Sequence, residues 1–385
     1  MTSDHPGGDE PAEALDRAPL APISPPMKRR SFLKFTAFAA LFGIGASGTA
    51  MAVARNSNRY HSGPVSDHFD GTRFFNPDGS APKGFSDLLK WKFGGTQAKW
   101  PTSVKSPFAP ARPEPRVEGD RLRITMVGHA TMLIQTAGLN ILTDPVWSDR
   151  ASPVAFAGPK RVTAPGIAFE DLPEIDMVLL SHNHYDHLDL VTLARLRLSH
   201  NPLVITPLGN DTIIKAHVPT MRVMTGDWGD AIKSGPATVH FEPCHHWSAR
   251  GVNDRSMALW AAFVLETPGG KILHIGDTGY DKGRPYQNAR DRHGRFRAAI
   301  LPVGAYEPRW FMKDQHQSPD EAIDGFLLSG ADYALGHHWG TFQLTDEGRE
   351  APEELLYEKL AEKGVAKERF RPLHVGEAWD FPDVA

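Results

Sequence analysis

The sequence predicts a layered α/β or α+β sandwich in one long domain. From Arg121 onward the chain is a series of short runs rich in β-branched and apolar residues, separated by turn signals. Helical stretches are interspersed among them, with no repeat at a period of roughly 20 to 50 residues, so the pattern is that of packed sheets and helices rather than a solenoid. The chain is 41% hydrophobic and 23% charged, enough apolar material for a sizeable core.

The N-terminus reads as an address. Lys28 to Lys34 spell KRRSFLK, followed by the mild apolar run FTAFAALFGIGASGTA and by Ala50-Met51-Ala52, a small-x-small cleavage pattern. Paired arginines ahead of a weakly hydrophobic run predict a twin-arginine export signal over residues 1–52, and a periplasmic or membrane-associated protein. The run is shorter than the roughly 20 residues that a membrane span needs. Residues 1–26 are polar and Pro-rich, and Met27 is expected as the true start. Residues 53–118, carrying many Gly, Pro, Asn and Ser, form an irregular lead-in expected to wrap the core through Phe and Trp anchors. Residues 119–385 are the main domain.

The strand series begins with LRITMVG, ATMLIQT and LNILTD, the last two joined by the hairpin signal AGLN. It continues through MVLLS, PLVIT, ATVHF, MALWAAFVLE, KILHIGD, RAAILPVG and YALG. LVTLARLRL and PDEAIDGFLLS are the clearest helices, the second opened by Ser318 with Glu321 three residues on, a capping box. The net charge of −4 carries no electrostatic footprint for nucleic acid. Cys244 is the one cysteine, so no intrachain disulfide exists.

Ligand-type residues gather at strand ends. Met177 to Leu180 is a continuous apolar run, as for a strand buried on both faces. His182, His184, Asp186 and His187 follow at once. Extended backbone puts His182 and His184 on one side, and the turn at Tyr185 brings Asp186 and His187 to a neighbouring point. That spacing suits two adjacent metal sites better than one closed four-ligand site. His245-His246, Asp277 and His337-His338 likewise end apolar strands. Loops at one edge of a sheet converge, and α/β proteins place their sites there. Imidazoles suit zinc and carboxylates are hard oxygen ligands, and metal pairs make water reactive at neutral pH. No protein nucleophile stands out.

With HxHxDH, a distant His, a GD strand end and a late His, the chain resembles the metallo-β-lactamase fold superfamily. GHATMLIQTAGLNILTDPVWSDRASP, VLLSHNHYDHLD, HHWSARG, IGDTGY, GAYEPRWFMKDQHQSPDEA and HHWGTF are similar to the N-acyl-phosphatidylethanolamine-hydrolysing phospholipase D family, over about residues 120–345. The resemblance implies a four-layer αββα sandwich and two Zn2+ ions. His182, His184 and His246 would hold the first, Asp186, His187 and His338 the second, and Asp277 would bridge them. The histidines before Trp247 and Trp339 are favoured over His245 and His337. Asp277, His316 and Asp186 are the expected catalytic residues, with Gln315, His316, Tyr185 and Arg309 near the substrate, and Lys160 and Arg161 as further phosphate partners. Asp144 is expected to orient a ligand histidine, and His129 to line the pocket. The implied reaction is phospholipase D-type hydrolysis of N-acyl-phosphatidylethanolamine, with a lactone or soluble phosphodiester as the alternative substrate and non-catalytic metal binding as the alternative class. A phospholipid partner implies contact with a membrane surface. Oligomeric state stays open, a homodimer included.

Overall fold

The computed structural model describes Met1 and residues 57–382 apart from Val252. The export-signal expectation falls on residues 1–52 and lies outside the described residues. Residues 57–382 fall in one compact unit. Among the described residues no helix is long and apolar enough to cross a membrane.

The described strands form two seven-stranded sheets. The first holds β1 (Leu122–Gly128), β2 (Thr131–Thr136), β3 (Leu139–Thr143), β4 (Met177–Leu179), β5 (Leu203–Pro207), β6 (Arg222–Gly226) and β14 (Ala378–Asp380), in the order β14-β1-β2-β3-β4-β5-β6. The second holds β7 (Ala231–Ser234), β8 (Ala237–Glu242), β9 (Ala262–Thr267), β10 (Gly270–His274), β11 (Ala298–Pro302), β12 (Tyr333–His337) and β13 (Phe370–Pro372), in the order β13-β12-β11-β10-β9-β8-β7. Each sheet is antiparallel in one half and parallel in the other: β3 to β6 and β10 to β13 run parallel.

Period two explains the layering. Ile124, Met126, Ile134, Ile141 and Leu179 of the first sheet meet Phe241, Phe263, Ile272, Ile300 and Leu335 of the second in a buried core between the sheets. The alternate residues Leu133, Leu142, Val178 and Val204 face α2 (Leu190–Ser199) and α3 (Asn210–His217). Leu273, Ala299, Leu301 and Ala334 face α4 (Arg284–His293), α6 (Pro319–Ser329) and α7 (Ala351–Glu362), and the one-turn α5 (Arg309–Met312) follows β11. The result is the four-layer αββα sandwich. Central strands read as unbroken apolar runs because both of their faces are covered.

Local signals hold where the chemistry is specific. Ala137 and Gly138, at φ 52° and 73°, make the two-residue hairpin between β2 and β3. Ser318 caps α6, its Oγ accepting from the Glu321 amide. Three expectations shift. MALWAAFVLE enters the sheet only at Ala262. Met257 to Ala261 are buried, but the Leu259 and Ala261 amides donate to the Leu208 and Ser181 carbonyls of loops instead of a ladder. The edge strands β6, β7, β13 and β14 carry charged residues that hid them from the apolar pattern. The lead-in is not wholly irregular: Phe85–Gly94 is a helix, α1, with Trp91 buried. Phe69, Phe74 and Trp91 are the lead-in's buried anchors.

Candidate metal centre

The ligand-type residues all follow the carboxyl ends of strands at one edge of the sandwich. His182 to His187 follow β4, His246 follows β8, Asp277 follows β10 and His338 follows β12. Backbone strain marks the spot. His129, Asp144 and His338 sit at φ 57°, 35° and 66°, a region that side chains disfavour. Gly276, at φ 64°, permits the turn into Asp277, where an added Cβ would lie 2.9 Å from that of Ser181. Gly304 has no such room either, since a Cβ there would meet the His338 carbonyl at 2.1 Å.

Two groups of donors form. In the first, His184 Nδ1 lies 2.8 Å from His182 Nε2 and 3.3 Å from His246 Nε2, so three ring nitrogens face one point. In the second, Asp186 Oδ2 lies 3.6 Å from His187 Nε2 and 3.3 Å from His338 Nε2. Asp277 Oδ2 stands between the groups. It is 3.0 and 3.2 Å from His187 and His338, and 3.9 and 3.8 Å from His182 and His246.

The surroundings set the tautomers. His182 Nδ1 pairs with Ser181 Oγ at 2.9 Å, His246 Nδ1 with the Gln315 carbonyl at 2.9 Å, and His187 Nδ1 with Asp144 Oδ2 at 2.8 Å. Each leaves Nε2 facing the centre. Asp144 is itself fixed, accepting at 2.7 Å from the Ser181 amide and at 2.7 Å from the Ser181 hydroxyl. His129 Nε2 lies 2.9 Å from Asp186 Oδ2.

These residues fit divalent metal. His187 Nε2 and His338 Nε2 make no aligned hydrogen bond among the described residues although Asp277 Oδ2 lies 3.0 and 3.2 Å away, and Asp277 Oδ1 is buried without a partner there, an expensive arrangement unless a cation completes it. Charge agrees. Burial lowers the His184 and His246 imidazoles to about 3, so the first group is neutral at pH 7. In the second, burial opposes charge, yet Asp277 and Asp186 lift His338 to about 9 and hold His187 well above its usual value. Burial would raise Asp277, but the imidazoles of His187, His338 and His316 keep it well below the usual carboxylate range. Protons on two histidines thus stand where a cation would neutralise the carboxylates.

A cavity of about 730 Å³ opens onto this centre. Its floor includes His184, Asp186, Asp277, Gln315 and His316, and its walls include Leu88, Trp91, Trp247, Phe311, Met312 and Leu344. Both amide atoms of Gln315 are buried and unpartnered among the described residues, and His316 Nε2 lies 3.9 Å from Asp277 Oδ2. Tyr185 is a wall residue whose hydroxyl donates to the Arg250 carbonyl at 2.9 Å.

Other expected residues lie elsewhere. Arg309 is not among those lining the cavity: its guanidinium binds Glu321 at 2.7 Å and the His316 carbonyl at 2.9 Å, so it braces the loop that carries His316. Arg161 is buried, donating to the Val146 carbonyl beneath Phe342, and Lys160 is exposed. His245 turns away toward Asp78 and the Asp314 carbonyl, and His337 packs beside His274. The α1 wall was missed in the sequence. Phe85, Leu88 and Leu89 at helical spacing and Asp87 in the first turn were its signal, obscured by flanking Gly and Pro.

A profile for the beta-lactamase superfamily domain matches residues 139–339. The chain belongs to this superfamily. It is 36% identical over 271 residues to N-acyl-phosphatidylethanolamine-hydrolyzing phospholipase D 1 of Caenorhabditis elegans, covering 67% of this chain and 76% of that one. It is 28% identical over 201 residues to a metal-dependent hydrolase of Anaeromyxobacter sp. (strain K), covering 50% and 68% of the two chains. The crystal structure of isothiocyanate hydrolase from Delia radicum gut bacteria superposes with a TM-score of 0.53 at 21% identity, covering 67% of this chain and 98% of that one, which shows a shared fold. This superfamily member is a metal-dependent hydrolase.

Proposed function

We propose that this hydrolase holds two zinc ions and cleaves N-acyl-phosphatidylethanolamine as a phospholipase D, releasing N-acylethanolamine and phosphatidic acid. His182, His184, His246 and Asp277 would hold one ion, and Asp186, His187, His338 and Asp277 the other. Such ions, when bound, lower the pKa of water and take up negative charge on phosphoryl oxygens. The observation that carries the reading is Asp277 Oδ2, within 3.9 Å of imidazoles from both groups.

The chain's own residues supply the rest. The Gln315 amide offers its free donors to a phosphoryl oxygen. His316 lines the cavity with its Nε2 3.9 Å from Asp277 Oδ2, placed to pass the proton of the attacking water to the departing ethanolamine oxygen. The new bond joins water oxygen to phosphorus and the broken one links phosphorus to that ethanolamine oxygen. Leu88, Trp91, Phe311 and Met312 give acyl chains an apolar wall and exclude water. The phospholipase D named for the Caenorhabditis relative supports the substrate class. The KRRSFLK and AMA signals support export, testable by fractionating cells that express the full chain.

The deciding experiment assays purified, metal-loaded protein on N-acyl-phosphatidylethanolamine beside a lactone panel, with metal content measured on the same sample. Lipid turnover abolished by chelator and two zinc ions per chain are expected. Lactone turnover alone, or a rate indifferent to chelator, overturns the reading.

A further inference from the structure

The cavity carries a positive charge that the chemistry above does not use. Arg255, exposed in the segment between β8 and β9, lines the cavity wall. Its Cζ lies 4.9 Å from the centroid of the Trp247 ring, and Trp247 packs edge-on against His184 with centroids 4.6 Å apart. Arg255 is therefore one ring removed from the metal centre. Its Nη1 donates to the Lys83 carbonyl at 3.1 Å, which steadies one edge of the planar fork.

Among the described residues no carboxylate lies within ion-pair distance of Arg255. Two neighbouring cations are compensated: Lys83, on the same wall, pairs with Asp314 at 2.9 Å, and Arg309 pairs with Glu321 at 2.7 Å. Arg73 makes the imbalance larger. It donates to the Arg255 and Asn253 carbonyls and also has no carboxylate partner among the described residues. Burial, and then the nearby Arg73 charge, lower the Arg255 pKa from its ordinary value. In a chain of net charge −4, an arginine on the cavity wall without a carboxylate partner among the described residues, with a second bonded to its carbonyl, makes a local anion trap.

We propose that Arg255 is a substrate-binding residue that takes the anionic oxygens of a phosphate ester, so that the cavity selects phosphate esters over uncharged esters. This rests on the phosphodiesterase reading above. A guanidinium presents parallel donors that match phosphate geometry, and stacking on Trp247 holds the fork flat before the ligand arrives. Lysine at this position would keep the charge and lose the fork.

The test uses the full metal-loaded chain and two probes in neutral detergent micelles, dioleoyl phosphatidate and uncharged dioleoylglycerol. Binding of each is measured by calorimetry in wild type, Arg255→Gln and Arg255→Lys. The wild type is expected to favour phosphatidate, with the preference falling about tenfold in Arg255→Gln, partly restored in Arg255→Lys and weakened by salt. An equal preference in wild type and Arg255→Gln, with matching melting temperatures, overturns the proposal. A wild type that binds phosphatidate through Arg255 but fails to hydrolyse N-acyl-phosphatidylethanolamine would sink only the phosphodiesterase reading.

Discussion

At the residue scale, three of the centre's histidines have their outer nitrogen already paired, His182 with Ser181, His187 with Asp144 and His246 with the Gln315 carbonyl. Asp277 stands apart because its Oδ2 faces both histidine groups. Asp277→Asn should therefore lower hydrolysis by about 10³-fold or more with the circular dichroism spectrum unchanged, and near wild-type turnover would remove the bridging role. His316 is as close to Asp277 as His182 is, at 3.9 Å, yet lines the cavity. His316→Ala should keep the metal content of the wild type and lose about 10²- to 10⁴-fold in rate. Metal analysis decides it, since an ion lost from that variant would make His316 a ligand. Asp144 touches no substrate-facing atom but holds His187 Nδ1. Asp144→Ala should weaken metal affinity about 10- to 100-fold by chelator competition, and unaltered affinity would reduce it to a turn residue. The HxHxDH spacing and the strand-end aspartates were legible in the sequence because ligand residues bunched after apolar runs are hard to explain otherwise. The choice within each histidine pair needed the resemblance, because His245 and His246 share one strand end and only packing turns the first toward Asp78.

At the element scale, strands were legible wherever both faces are buried, and illegible at the edges. β14 is three residues long and reads AWD, with its outer residues exposed. The lead-in was the least readable part, because its order comes from docking on the domain rather than from its own periodicity. His68 is its clearest clasp. Its ring lies 4.4 Å from that of Trp228 and binds Asp227 at 2.8 Å and Asp67 at 2.6 Å. Burial alone would lower the His68 pKa, but the hydrogen bonds to Asp227 and Asp67 leave it raised above 6.5. A raised folded value means that this contribution is whole below the unfolded pKa of about 6.5 and is lost as pH climbs through the folded one. Hydrogen exchange of residues 66–76 should accelerate from pH 6 to pH 9 beyond the intrinsic rate change, and His68→Gln should abolish that excess. An identical pH response in wild type and variant would dismiss the clasp.

At the scale of the whole molecule, the two sheets act as a rigid frame and the centre sits on the edge where both contribute loops. Metal should therefore be part of the folded state's stability. Free metal at about 1,000 times its Kd adds about 4 kcal/mol, so chelation should lower the melting temperature, and a coincident melt with and without chelator would contradict a built-in centre. His338, lifted to about 9 by Asp277 and Asp186 against the effect of burial, holds a proton at pH 7 that a metal must displace. Loading at pH 7 should release protons, and fewer as pH rises past 9; calorimetry in buffers of different ionisation enthalpy reads the number. The amino-acid sequence by itself determined the strand series, the sandwich class and the residue types of the centre, because periodicity and ligand chemistry are local properties. Tertiary structure alone decided which nitrogen of each histidine faces inward, that Arg309 braces a loop and that the lead-in walls the cavity. Those outcomes depend on side-chain contacts that only the folded chain makes, from Arg309 with Glu321 to His246 with the Gln315 carbonyl and, farthest in sequence, Trp91 with Asp346, and no hydrophobic period encodes them.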